Sequence, residues 1–110
     1  MIVPSQGDII SINFDPTVGH EPQGKRPALV ISADDFNQRS SLTVVAPITR
    51  TNNSYPLHVR IGSESDVEGF ACLEQMRSLD LSSRSFTKLG NASNEELNKA
   101  LEIATAIFGS

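Results

Sequence analysis

The sequence predicts a mainly β domain, a small and strongly bent antiparallel barrel with one C-terminal α-helix. Three observations carry that expectation. Apolar residues alternate with polar ones in about six short stretches, the signature of strands that face a core on one side. The connections are too short for helical crossovers, so neighbouring strands should run antiparallel. Only the last stretch changes to the spacing of a helix.

From Gly7 to Phe14, Ile10, Ile12 and Phe14 fall on one face and Ser11 and Asn13 on the other, which reads as a half-buried strand. Residues 15–24 carry Pro16, Gly19, Pro22 and Gly24 with almost nothing apolar, so a long exposed loop is expected. Pro27 to Ser32 is an apolar run suited to a central strand, and residues 33–39 read as a loop or one helical turn. Leu42 to Thr49 is rich in β-branched residues. Within it Pro47 lacks an N–H and so marks an edge, a bulge or a strand end, leaving Thr49 displayed where the strand finishes. Leu57, Val59 and Ile61 alternate with His58 and Arg60, whose side chains should then point to solvent. Gly69 to Asp80 is read as one further strand region, and Phe86 to Leu89 as the last short strand before Gly90.

The final segment opens on a capping box. The Ser93 hydroxyl can accept from the Glu96 backbone N–H while the Glu96 carboxylate reaches back. Leu97, Ala100, Leu101, Ala104, Ile107 and Phe108 then recur at steps of three and four, an apolar stripe that should lie on the barrel with Phe108 in the core. Gly109 ends the helix.

The chain has 110 residues, and a single domain over 1–110 is expected. At this length folding buries about two thirds of the unfolded chain's surface, which leaves any site on the surface or at a subunit interface. Cys72 is the single cysteine, so no internal disulfide can form, and with only two histidines the common four-ligand structural zinc sites are out of reach. A reducing cytoplasm is the expected compartment. No apolar run approaches the roughly 20 residues that span a bilayer, and Ile2 to Ser5 carry no basic lead, so neither membrane insertion nor a signal peptide is expected. The net charge of −4 weighs against nonspecific binding of nucleic acid. That mean hides a basic middle: residues 22–60 carry a net +3, while residues 61–110 hold four bases against eight acids.

Several constellations could carry chemistry. Lys25 and Arg26 stand where the exposed loop meets a strand, and Pro27 restricts Arg26 to extended conformations. A guanidinium so held can grip a phosphate with two hydrogen bonds and stabilise charge developing on it. Both bases read equally as solvated charges beside a strand. Thr49 can offer a hydroxyl to a phosphate oxygen, or can simply be a β-former at a strand terminus. His20 and Glu21 offer an imidazole and a carboxylate for proton transfer or base reading, or are plain polar loop residues. Glu74, Gln75 and Arg77 are tools for reading unpaired bases, or a polar sheet edge with an internal ion pair. Cys72 sits among apolar neighbours and reads as core. There is no phosphate-binding glycine loop, no metal-ligand spacing and no G-x-S-x-G elbow, so neither a cofactor nor a metal is expected.

Taken together, seven segments resemble the MazF/PemK toxin family almost end to end. They are Gly7-Asp8-Ile9, Phe14-Asp15-Pro16-Thr17, Gly19-His20-Glu21, Gly24-Lys25-Arg26-Pro27-Ala28-Leu29-Val30, Pro47-Ile48-Thr49, Tyr55-Pro56 and Glu74-Gln75-Met76-Arg77-Ser78-Leu79-Asp80. The resemblance implies an SH3-like barrel of the MazF/PemK/CcdB kind that forms a homodimer. It implies the toxin of a type II toxin–antitoxin system, which cleaves single-stranded RNA at short motifs and is neutralised by a cognate antitoxin.

By the same resemblance Arg26 and Thr49 are catalytic, and Asp15, His20, Glu21, Glu74, Gln75 and Arg77 contact the RNA. Neither metal nor cofactor takes part. A ribose 2′-hydroxyl attacks the adjacent phosphorus to leave a 2′,3′-cyclic phosphate and a 5′-hydroxyl. Three positions depart from the family pattern: Glu74 stands where Asp is commoner, Ser11 where some members carry an aromatic residue, and Cys72 where some carry a second arginine. Two other readings stay open at this point. One is a non-catalytic toxin of the same fold that binds a protein such as DNA gyrase; the other is a silent SH3-like interaction module.

Overall fold

Ile9, Ile10 and Ile12 stand in the first strand, β1 (Asp8–Asn13), and all three are fully buried. The expectation of a half-buried strand is therefore corrected. β1 lies inside the sheet between two neighbours, and apolar layers cover both of its faces. The computed structural model describes residues 2–14, 24–51 and 55–109. After β1 come β2 (Lys25–Val30), the short helix α1 (Asp34–Ser40), β3 (Leu42–Thr49), β4 (His58–Ile61), β5 (Gly69–Cys72), β6 (Arg77–Asp80), β7 (Phe86–Asn91) and the C-terminal helix α2 (Asn94–Ile107).

The hydrogen-bonded order is β4-β5-β3-β2-β1-β7, with β6 also on β3, and every pairing is antiparallel. A bridge between Ser65, in the β4–β5 connection, and Gly90 in β7 draws the two ends of the sheet together. The sheet is thus a curled half-barrel. One face gathers Ile9, Leu29, Ala46, Ile48, Val59 and Ile61 under Ala100 and Ala104 of α2. The other gathers Ile10, Ile12, Ala28, Val30 and Val45 with Leu79 and Leu81. Each fully buried isoleucine contributes about 1.5–3 kcal/mol.

β3 explains the bend. Along one side it pairs with β2; along the other it pairs with β6 through Leu42–Val45 and with β5 through Ile48 and Thr49. Ala46 and Pro47 stand at the changeover. Pro47 does not end the strand, and its missing N–H falls where the ladder changes partner. The stretch read as one strand from Gly69 to Asp80 is broken by a 3₁₀ turn, Leu73–Gln75, whose Leu73 is buried while Glu74 and Gln75 face outward.

The capping box forms with both hydrogen bonds, Glu96 N–H to Ser93 Oγ at 3.1 Å and Ser93 N–H to Glu96 Oε1 at 2.9 Å. Glu96 Oε2 also accepts from the Gly62 and Ser63 N–H groups, tying the start of α2 to the end of β4. Only the first part of the expected stripe is buried. Phe108, expected in the core, is 81% exposed: it is the C-cap, just past the last residue of α2. Among the described residues no helix is long and apolar enough to cross a membrane.

Candidate active site

The ends of β2 and β3 place the two residues expected to be catalytic. The β2–β3 ladder ends at the pair Ala28–Pro47, and Arg26 and Thr49 each stand two residues beyond it, held by their other neighbours, Ile12 of β1 and Phe70 of β5. Both side chains line one open cleft of about 310 Å³, together with Pro47, Ile48, Thr51, His58, Cys72, Glu74 and Gln75. Arg26 is exposed and is anchored in the ladder opposite Ile12 of β1. Thr49 Oγ1 accepts the Thr51 N–H at 3.2 Å, which fixes the hydroxyl and leaves its hydrogen to donate. A guanidinium and a hydroxyl donor lining one cleft on rigid strands can hold the two nonbridging oxygens of a phosphodiester.

The 3₁₀ turn brings Glu74 and Gln75 to the rim of the same cleft, as base readers beside the reacting phosphate would need. Arg77 goes elsewhere. It does not line this cleft; its guanidinium carbon lies 5.9 Å from the Phe14 ring centre, and its side chain borders an apolar hollow beside Met76, Leu101 and Phe108. Asp15, His20 and Glu21 lie outside the described residues.

His58 and Cys72 are the residues that sequence reasoning missed in this cleft. His58 was expected to face solvent, yet its side chain is only 6% exposed. The 3₁₀ turn supplies the cover: His58 Nε2 meets Glu74 Oε2 at 3.0 Å, and the Tyr55 ring stands edge-on at 5.3 Å. Alternation along β4 alone could not show that cover. Cys72 is buried as expected, but at the cleft wall, directly opposite His58 in the β4–β5 ladder. Burial pushes its thiol pKa up, the Glu74 carboxylate adds to the rise, and the Arg26 guanidinium works against both.

The family described as PemK-like, MazF-like toxin of type II toxin–antitoxin system matches residues 5–108. The chain is 43% identical over 104 residues to the endoribonuclease toxin ChpB of Escherichia coli (strain K12), covering 87% of this chain and 86% of that protein. The crystal structure of MazF from Deinococcus radiodurans superposes with a TM-score of 0.85 at 32% identity, over 100% of both chains. A crystal structure of MazE–MazF from the same organism superposes with a TM-score of 0.83 at 28% identity, over 99% of this chain and 98% of that one. A curled antiparallel half-barrel with a C-terminal helix, the Arg26–Thr49 cleft and a match over nearly the whole length place the chain in the MazF/PemK family of toxins of type II toxin–antitoxin systems.

Proposed function

We propose that this toxin, acting as a single domain over residues 1–110, is an endoribonuclease that cuts single-stranded RNA in the Arg26–Thr49 cleft. The observation that carries the reading is the convergence of Arg26, Thr49, Glu74 and Gln75 on one open cleft. ChpB, the relative of 43% identity, is an endoribonuclease toxin. The ribose 2′-hydroxyl attacks the neighbouring phosphorus, the bond to the 5′-oxygen breaks, and the products end in a 2′,3′-cyclic phosphate and a 5′-hydroxyl. The nucleophile is part of the substrate, so positioning and charge stabilisation are the protein's main tasks.

Arg26 binds the phosphate and stabilises the charge that builds on it, and Thr49 donates to a nonbridging oxygen. Glu74 and Gln75 read bases next to the cut, with Arg77, Asp15, His20 and Glu21 as further RNA contacts, and Thr49 with Glu21 or His20 handles the protons. The cellular partner is a cognate antitoxin, as in the MazE–MazF assembly of Deinococcus radiodurans. An acidic disordered segment laid over Arg26 would block the cleft. The toxin works as a homodimer in the cytoplasm, since pairing adds apolar burial to a small core.

The test is a long single-stranded RNA incubated with the protein in excess EDTA, beside Arg26→Ala. Cuts at a short motif with 5′-hydroxyl ends, lost in the variant, are expected. Intact RNA from folded protein would overturn the reading. A non-catalytic, gyrase-binding toxin finds no support in the relatives, and a silent module is at odds with Arg26 and Thr49 sharing one cleft.

A further inference from the structure

His58, Cys72 and Glu74 bring three different metal-ligating atoms within 4.8 Å of one another at the wall of the cleft. The arrangement is built into the backbone. His58 and Cys72 are direct partners across the β4–β5 ladder, so their side chains share a face, and the 3₁₀ turn folds Glu74 back over them two residues later. No spacing in the sequence announces this set, because the ladder and the turn create it.

We propose that these three side chains form a thiolate-containing site for a borderline divalent ion such as Zn²⁺, with the fourth coordination position open to the cleft. Ligand atoms around tetrahedral zinc sit 2.0–2.3 Å from the metal and hence about 3.3–3.8 Å from each other. The His58–Glu74 pair, at 3.0 Å, must open by a few tenths of an ångström, and the thiol must close by up to about 1.2 Å, a side-chain adjustment. The metal takes over the His58 Nε2–Glu74 Oε2 contact, and the Cys72 thiol gives up only a weak 3.6 Å hydrogen bond to the Phe70 carbonyl. A thiolate, an imidazole and a carboxylate together select zinc-like ions over magnesium or calcium. Charge also balances: thiolate, carboxylate and a divalent cation sum to zero, so the loaded site does not oppose Arg26 across the cleft. Glu74 at the rim provides the way in.

Occupation fills the cleft beside Arg26 and Thr49 and takes Glu74 away from any base. Zinc should therefore stop RNA cleavage and EDTA restore it, a consequence that rests on the cleavage reading, whereas the site itself does not. The experiment is titration of the reduced protein with Co²⁺, a spectroscopic stand-in for Zn²⁺. One equivalent should raise a near-ultraviolet thiolate-to-cobalt band that zinc abolishes. Cys72→Ser should remove the band, and His58→Gln and Glu74→Gln should each weaken binding at least about tenfold. No band, or a band of equal affinity in both single variants, would overturn the site.

A second measurement on the unaltered protein guards against misfolded variants. The chain has two histidines, His20 and His58, and zinc must shift the His58 imidazole resonances; a shift confined to His20 would overturn the proposal. A cobalt band in a protein that never cuts RNA would refute the cleavage reading and leave the metal site standing.

Discussion

Gly69 lies so close under Thr49 that a β-carbon there would sit 2.5 Å from the Thr49 carbonyl oxygen and 2.8 Å from Ile48 Cγ2. The first obstacle is backbone, which cannot swing aside. Gly69→Ala must push β5 away from the end of β3 and shift the Thr49 hydroxyl. The expected result is a folded protein destabilised by about 1–3 kcal/mol in urea melts, with RNA cleavage reduced far more than that loss of stability explains. Cleavage at the unaltered rate would show that the position of Thr49 is not critical.

Arg26→Ala should lower the cleavage rate by about 100- to 1000-fold, the usual effect of removing one donor that stabilises transition-state charge. Arg26→Lys should recover little of it, because an ammonium cannot make the paired contacts of a guanidinium. Thr49→Ser should keep most of the rate and Thr49→Ala should not. Single-turnover rates with unchanged circular dichroism decide the matter.

Gln75→Ala should act on choice of sequence more than on chemistry. Gln75 stands on the turn at the rim, not on the strands that hold Arg26 and Thr49. Mapping the cut positions on a long RNA should show additional or altered motifs with the same end groups; an unchanged motif would remove Gln75 from base reading.

Acid should weaken the tie between α2 and β4. Burial alone pushes the Glu96 carboxyl up, but the Ser93, Ser63 and Gly62 donors outweigh it and hold the group below its ordinary value of 4.5. A carboxyl lowered in the folded state stabilises the fold above its unfolded value and loses that contribution as pH falls through the folded one. Glu96→Gln should therefore be destabilised by about 1 kcal/mol at neutral pH, on the scale of a lost cap, and should converge with the parent below the glutamate range. Parallel melting curves at all pH values would contradict this.

Asn37 is a buried polar side chain that makes three hydrogen bonds. It is fully buried in α1, donates to the Pro4 carbonyl at 3.0 Å and to the Ser32 carbonyl at 3.3 Å, and accepts from the Ser32 hydroxyl. That hydroxyl in turn receives the Val44 N–H at 2.8 Å. Asn37→Ala strands several of these groups at once and should cost about 2–3 kcal/mol in thermal or urea unfolding, with cleavage by the folded fraction unchanged.

What could be read from the sequence follows from what is local. The capping box needs only residues 93–96, and the strands of β2, β3 and β4 show in their own apolar patterns. Arg26 and Thr49 were legible as a pair through resemblance, and the strands that hold them bring both to one cleft. The misreadings all involve a cover from elsewhere in the chain. β1 looked half-buried because nothing in residues 7–14 reveals the apolar layers that cover both of its faces. His58 looked solvated because the turn that hides it carries no glycine or proline to mark it. Phe108 continued a valid helical stripe past the last residue of α2.

The change of partner along β3 separates two kinds of evolutionary freedom. Where the strand leaves β6 and takes up β5, the chain joining those two strands must cross the gap, and that crossing is the turn carrying Glu74 and Gln75. Arg26 and Thr49 sit instead in ladders whose register cannot slip without turning the apolar core outward. On the proposed reading, substitutions on the crossing would alter which bases are accepted while the strands that hold Arg26 and Thr49 keep their register.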